Sequence, residues 1–358
     1  MDDLLRTALL AAHAASRVHL QHFGSVNVEG AQEKASSDFV SLVDLEAQEA
    51  ALGVIRRRHP HHRILAEEED GSASQGAEGE GEGWENRQRE YDSGNGGDGG
   101  SGGDGGSGHD SGDGGDGGSG DGRGNGRGSR AGDGSRQART PWPRDGTPLW
   151  IVDPLDGTTN YLHRHPQFAA SVAVGRSAGP DESGSFQGGV MEAGAVMAAR
   201  TGESWWARRG RGAWKNGLPL SVSGATRMAT ALVGTGFPFK APHLLDRYSR
   251  QFQRILPACG GVRRCGSAAL DLCFLAEGVL DAFWEEDYLS PWDVAAGVLI
   301  LEEAGGMATR LDGSPLTLDA GSVLGANGPG LHEALGRLVR NDDRARRQDS
   351  GPGPDLRG

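Results

Sequence analysis

The segment Val152-Asp153-Pro154-Leu155-Asp156-Gly157-Thr158-Thr159-Asn160 holds the chain's densest chemistry. An apolar run, Leu149-Trp150-Ile151-Val152, leads into two carboxylates three residues apart, with proline between them and glycine after. Proline and glycine turn the chain, so a short buried strand should deliver both acids where it ends. Two carboxylates leaving a strand together repel unless a cation lies between them. A hard divalent ion with oxygen ligands meets that need. Gly157 and Thr158 stand at a predicted helix N-terminus, where free N–H groups suit a phosphate. The same residues also fit an Asx-type turn with capping aspartates. The segment alone leaves the two readings even.

Two further acids are candidates. In Ser290-Pro291-Trp292-Asp293-Val294-Ala295-Ala296-Gly297, serine can N-cap, proline fits the first helical position and Asp293 the third. Taken alone, Asp293 reads better as a capping acid than as a ligand. Glu67 directly follows the apolar run Ile64-Leu65-Ala66 and opens Glu67-Glu68-Glu69-Asp70. Such a run usually marks a solvated loop, but a strand would hold its first acid rigidly. His163 and His165 read as loop histidines, because hard divalent ions prefer oxygen.

These residues need a scaffold. Helical spacing of Leu4, Leu5, Ala8, Leu9, Ala12 and Ala15 predicts an amphipathic helix over 3–22. A second is expected over 43–58, closing on three arginines that its dipole favours. Strands are expected at 64–66, 149–152, 167–175, 186–191, 195–200, 204–208 and 280–284, with turns at Gly194 and Gly202. Trp214-Lys215-Asn216-Gly217 suits a hairpin turn. Helices are expected at 243–256, 267–277 and 291–304, the last stopped by Gly305-Gly306. Runs of strands and runs of helices point to layered α and β structure.

Residues 71–146 break this pattern. They hold 28 of the 61 glycines and near-repeats of Gly-Gly-Asp-Gly-Gly-Ser-Gly. With so little to bury, this insertion is expected to be disordered and passive rather than a lid. It divides the expected globular domain into 1–70 and 147–340, and a polar tail, 341–358, is expected to fray. The net charge of −13 argues against a broad basic face for nucleic acid. No apolar run approaches 18 residues, so no membrane span is expected. Three cysteines without metal-ligand spacing read as buried free thiols in a reducing compartment. The acidic N-terminus is unlike a signal peptide, and a cytoplasmic protein is expected.

Together the motifs resemble the inositol monophosphatase family, within the metal-dependent, lithium-sensitive phosphatases. Trp150 through Tyr161 is similar to that family's first signature, and Pro291 through Gly306 to its second. Lesser matches fall in order at Asp38–Asp44, Gly236-Phe237-Pro238 and Arg264–Asp271. The resemblance covers about 1–70 and 147–338 and implies an α+β fold, a layered αβαβα sandwich of the sugar phosphatase type, with a homodimer expected. It implies a site for two to three magnesium ions (Mg2+). Glu67, Asp153 and the Leu155 carbonyl would hold one, and Asp153, Asp156 and Asp293 a second. A third would be weaker and involve Glu67 and water.

The implied reaction is in-line attack of metal-activated water on a phosphate monoester. Thr158, paired with Asp44, and Glu67 would orient and deprotonate that water. Gly157 and Thr158 would hold the phosphate. Asp156, Gly266, Ser267, Ala268 and an acid near Glu286 would meet the substrate's hydroxyls, with Glu285 the alternative if a bulge intervenes. Thr159-Asn160 resembles the branch acting on myo-inositol monophosphate or related polyol phosphates. Histidinol phosphate, fructose 1,6-bisphosphate, NADP and 3′-phosphoadenosine 5′-phosphate remain alternatives. So does a non-catalytic scaffold, which the complete ligand set disfavours.

Overall fold

Leu4, Leu5, Ala8, Ala11, Ala12 and Ala15 recur at helical spacing, and helix α1 (Asp3–His22) buries all of them. The structure is a computed structural model that describes residues 2–26, 32–35, 38–68, 142–179, 188–286, 288–317 and 321–340. Most of the Gly-rich insertion (69–141) and the tail (341–358) lie outside the described residues.

After α1, strands β1 (Gln32–Ala35) and β2 (Asp38–Val40) pair antiparallel, followed by helix α2 (Leu42–Arg58) and strand β3 (Arg63–Ala66). Strand β4 (Leu149–Asp156) and the short helix α3 (Thr158–Leu162) come next, then β5 (Ala169–Ser177), β6 (Gly189–Ala198), β7 (Glu203–Arg208), β8 (Gly212–Lys215) and β9 (Leu218–Pro219). Strands β3 to β9 form a seven-stranded sheet in chain order, with β3–β4 parallel and every other pair antiparallel. The chain continues through β10 (Leu232–Thr235), α4 (Leu245–Ile255), β11 (Gly261–Arg263), α5 (Ala268–Ala276), β12 (Ala282–Glu285) and α6 (Pro291–Glu303). It ends in β13 (Met307–Thr309), β14 (Val323–Ala326) and α7 (Pro329–Arg340). The second sheet has the order β11-β10-β12-β14-β13.

Two buried clusters sandwich the larger sheet. Trp150, Val152, Val172 and Val174 meet the alanines of α1 and α2. Leu149, Ile151, Ala169 and Ala173 meet α5 and α6. Both faces being covered explains why Leu149 to Val152 is apolar without alternation. Across α5 and α6, Phe283 of the smaller sheet joins the same cluster. On that sheet's far face, Ala282 and Trp284 pack with Tyr248 and Ile255 of α4 and Leu331 and Leu335 of α7. The layers are therefore α, β, α, β, α, as the resemblance implied.

Three local readings differ from expectation. First, β4 continues through Pro154 to Asp156, with a register irregularity between Asp153 and Asp156. A bulge spares the proline from a ladder hydrogen bond that it cannot donate. Second, Gly194 makes no turn but lies within β6. A Cβ there would stand 3.1 Å from Ala296 Cα, so the glycine lets α6 approach the sheet. Third, Trp142, grouped with the insertion on composition, is buried beside Met191 and β5. Expected turns hold elsewhere: Asn216 and Gly217 both have positive φ in the β8–β9 hairpin, and Gly305, at φ 94°, ends α6.

Candidate active site

The parallel register sets Ala66 beside Val152, and the Glu67 N–H continues it by donating to Val152 O at 3.1 Å. Gln48 of α2 then clamps the next residue: its Oε1 accepts from Glu68 N at 3.0 Å and its Nε2 donates to Glu68 O at 2.5 Å. Glu67 is thereby fixed at the mouth of the strand pair. Its carboxyl lies within hydrogen-bonding reach of Asp153.

Asp153 is buried on β4, and its Oδ1 accepts from Leu155 N at 3.0 Å. The buried His19 of α1 meets the Pro154 carbonyl at 2.7 Å through Nε2. Burial pushes His19 down to about 4, so its neutral ring donates here. Asp156 Oδ2 accepts from Ser267 Oγ at 2.5 Å and from Ala269 N at 2.8 Å, tying β4 to the start of α5. Asp293, at the third position of α6, accepts from Ser290 N at 2.6 Å. Carboxylate oxygens of Asp153, Asp156 and Asp293 lie within 4.8 Å of one another. The capping and cluster readings of Asp293 are compatible, since a carboxylate has two oxygens.

Burial raises Asp153 well above the ordinary carboxylate range, and Glu67, Asp156 and Asp293 each push it further. Burial lifts Asp156 to about 6, against the pull of its bonds from Ser267 and Ala269. These acids are held together by backbone and neighbouring side chains despite their repulsion. Closely spaced hard oxygens that resist ionisation match a divalent cation's requirements. The donor set fits such an ion.

Thr158 Oγ1 donates to Asp44 Oδ1 at 2.9 Å and lies 3.1 Å from the Leu155 carbonyl. Asp44 is wholly buried, and its Oδ2 accepts from Ser41 N at 2.9 Å and Ser41 Oγ at 2.5 Å. Every oxygen of the Asp44 carboxyl is thus oriented. Gly157 has φ 91°, and a Cβ there would meet Gln167 O at 2.9 Å. Gly157→Ala should therefore destabilise the fold by about 1–3 kcal/mol, from left-handed strain and the clash, measured by urea unfolding. An unchanged midpoint would show that this turn relaxes freely.

Asn160 draws the Gly266–Ala268 segment to this turn. Its Nδ2 donates to Gln167 O at 2.6 Å and Cys265 O at 2.9 Å, and lies 3.3 Å from Gly266 O. His163 and His165 are exposed.

Glu285, the last residue of β12, and Glu286, just beyond it, turn to opposite sides. Glu285, on the Phe283 side, is buried, feels Asp293 and Asp156, accepts from Tyr288 OH and is pushed up to about 8, chiefly by burial. Glu286 is fully buried and pairs with Arg247 of α4. The structure thus places Glu285, not Glu286, beside the acid cluster. Counting back from Asp293 selects Glu286, but the count carries no information on which glutamate's side chain turns toward the acids.

Sequence reading missed Gln48, His19 and Tyr288. Each acts across the fold or a turn, and none carries a local signal. Asn160 was noticed as a branch marker, not as the tie it makes. Cys259, Cys265 and Cys273 are free thiols, but only Cys273 is buried, Cys259 and Cys265 being half-buried, and no helix among the described residues is long and apolar enough to cross a membrane.

The sequence profile of the inositol monophosphatase family matches residues 131–344. A putative Nus factor SuhB of Neisseria meningitidis is 30% identical over 335 residues, covering 94% of this chain and 97% of that protein. An inositol-1-monophosphatase of Rhizobium meliloti is 42% identical over 183 residues, covering 51% of this chain and 64% of that protein. Among solved structures, the inositol monophosphatase of Anabaena is 28% identical with a TM-score of 0.60, covering 94% of this chain and 95% of that one. The extragenic suppressor protein SuhB of Bartonella henselae has a TM-score of 0.66 at 24% identity, covering 95% and 99%.

Proposed function

The chain belongs to the inositol monophosphatase family, and from that premise we propose that it is a magnesium-dependent phosphomonoesterase acting on myo-inositol monophosphate or a closely related polyol phosphate. The observation that carries this reading is the gathering of Asp153, Asp156 and Asp293 oxygens within 4.8 Å of one another, with Glu67 in hydrogen-bonding reach of Asp153 and Thr158, two residues after Asp156, bonded to Asp44. Asp153, Asp156 and Asp293 would hold one cation, and Glu67, Asp153 and the Leu155 carbonyl another. When bound, such ions neutralise phosphate charge and make water more acidic.

The chain's own groups supply the rest. Thr158 Oγ1 donates to Asp44, which leaves the hydroxyl oxygen free to accept from a water and aim it. Glu67 is a second acceptor for that water's proton. The N–H groups of Gly157 and Thr158 bind phosphate oxygens as the helix turn opens. Asp156, Ser267, Ala268 and Glu285 face the alcohol portion. Glu285 enters this role in place of Glu286, whose carboxyl is turned to Arg247.

The test is phosphate release by the full-length protein with magnesium. The panel is myo-inositol 1-phosphate, histidinol phosphate, fructose 1,6-bisphosphate, NADP and 3′-phosphoadenosine 5′-phosphate. The polyol monophosphate should give the highest kcat/KM, and at pH 8.5, where the Glu285 carboxylate is mostly ionised, Glu285→Gln should raise its KM by about tenfold, the loss of one charged hydrogen bond. Activity confined to the adenosine bisphosphate would overturn the substrate assignment. No release from any ester would favour a second reading, a partner-binding role such as the Nus factor name gives the Neisseria relative.

A further inference from the structure

On the far face of the smaller sheet, α4 and α7 enclose a cavity of about 410 Å³ with no part in the acid cluster. Five of its ten lining residues are arginines: Arg247, Arg250, Arg254, Arg310 and Arg340. Three of them sit at i, i+3 and i+7 on one face of α4, which is why they converge. We propose that this cavity binds a small anion bearing two or more phosphate groups.

Charge supports the assignment. Arg247 pairs with the buried Glu286. Asp312 is the single acid in the lining, and its Oδ1 accepts from Ser314 N at 2.8 Å and Ser314 Oγ at 2.6 Å. Among the described residues, Arg250 and Arg310 have no carboxylate within 4.0 Å. Arg254 has none either, so Arg250, Arg254 and Arg310 bring about three positive charges that no described carboxylate within 4.0 Å offsets, in a protein whose net charge is −13.

Geometry supports it too. Arg254 donates through Nε to Leu338 O at 2.6 Å and through Nη2 to Val339 O at 2.9 Å, and Arg340 Nη1 donates to Leu311 O at 3.0 Å. Carbonyls orient the Arg254 guanidinium without neutralising it. An array of fixed forks is suited to several phosphate oxygens at once, since each fork can bind two. The buried Ser322 also lines the cavity, and its hydroxyl can donate to a phosphate oxygen. The volume suits a small phosphorylated molecule rather than a folded partner.

The test is calorimetric titration of the full-length chain with sodium tripolyphosphate in the absence of divalent ions, when the acid cluster repels anions. One tripolyphosphate should bind per chain. Arg250→Glu with Arg310→Glu should weaken binding at least about tenfold, the loss of two charge-assisted contacts, while magnesium-dependent turnover stays unchanged and reports an intact fold. Asp153→Asn should leave tripolyphosphate affinity as it was. Wild-type affinity in the double arginine variant would overturn the proposal. So would tight binding of a short single-stranded RNA that tripolyphosphate cannot displace, because the surface would then read a polynucleotide backbone.

Discussion

Asp153→Asn should lower kcat/KM by more than about a hundredfold and, in the same protein, raise the thermal midpoint measured in EDTA. Losing a mere outer partner of a metal ligand lowers affinity by about 10- to 100-fold, and Asp153 is shared by both proposed cation positions. Asparagine keeps the shape and can still accept from Leu155 N through its amide oxygen. It removes the charge that burial and Glu67, Asp156 and Asp293 oppose. Without metal that charge works against folding, so its removal stabilises. The two readouts separate roles: a residue that only supports the fold would lose activity and stability together. Full activity in this variant would sink the metal assignment, and a lower midpoint in EDTA would show that repulsion does not govern this site.

Without divalent ions, stability should fall steadily between about pH 5 and pH 8, and magnesium should reverse that trend. Asp153, Asp156 and Glu285 all have folded-state values raised above their ordinary ones, the latter two to about 6 and about 8. The native state therefore binds more protons than the unfolded chain across this range. Stability must then decline as pH rises. It is highest below the ordinary carboxylate range and is lost as pH passes through the folded values. Asp156 alone, moved from 3.8 to about 6, contributes on the order of 3 kcal/mol to this slope. Cations bind the ionised forms, so their stabilisation grows with pH. Scanning fluorimetry from pH 5 to 8.5 with EDTA or magnesium checks both signs. Parallel curves would mean that these carboxylates do not hold the ion.

Much of this was legible in the sequence, and the exceptions share a cause. Helix spacing in α1 and the apolar run before Asp153 are local signals, and they placed the layers that carry the acids. Asp153 and Asp156 could be read as a pair because Pro154 and Gly157 mark the turn around them. The choice between Glu285 and Glu286 was not legible, because two adjacent glutamates differ only in the direction their side chains take at the end of β12. Gly194 resembled a turn because its reason for being glycine, the backbone of Ala296, lies over a hundred residues away. Gln48 was invisible for the same reason: its partner is the main chain of Glu68, and any sequence there would present the same groups. Trp142 was grouped with its surroundings because Pro141 and Pro143 offered no periodicity.

The contacts that shape the site span unusual lengths of chain. Thr158 reaches Asp44 across 114 positions, Ser267 reaches Asp156 across 111, and His19 reaches Pro154 across 135. Non-local contacts of this kind form slowly, after much chain has been ordered. A half-folded chain holds the acids apart, so it lacks the cluster that would grip an ion. Magnesium should therefore act on the finished protein, slowing its unfolding far more than it hastens its folding.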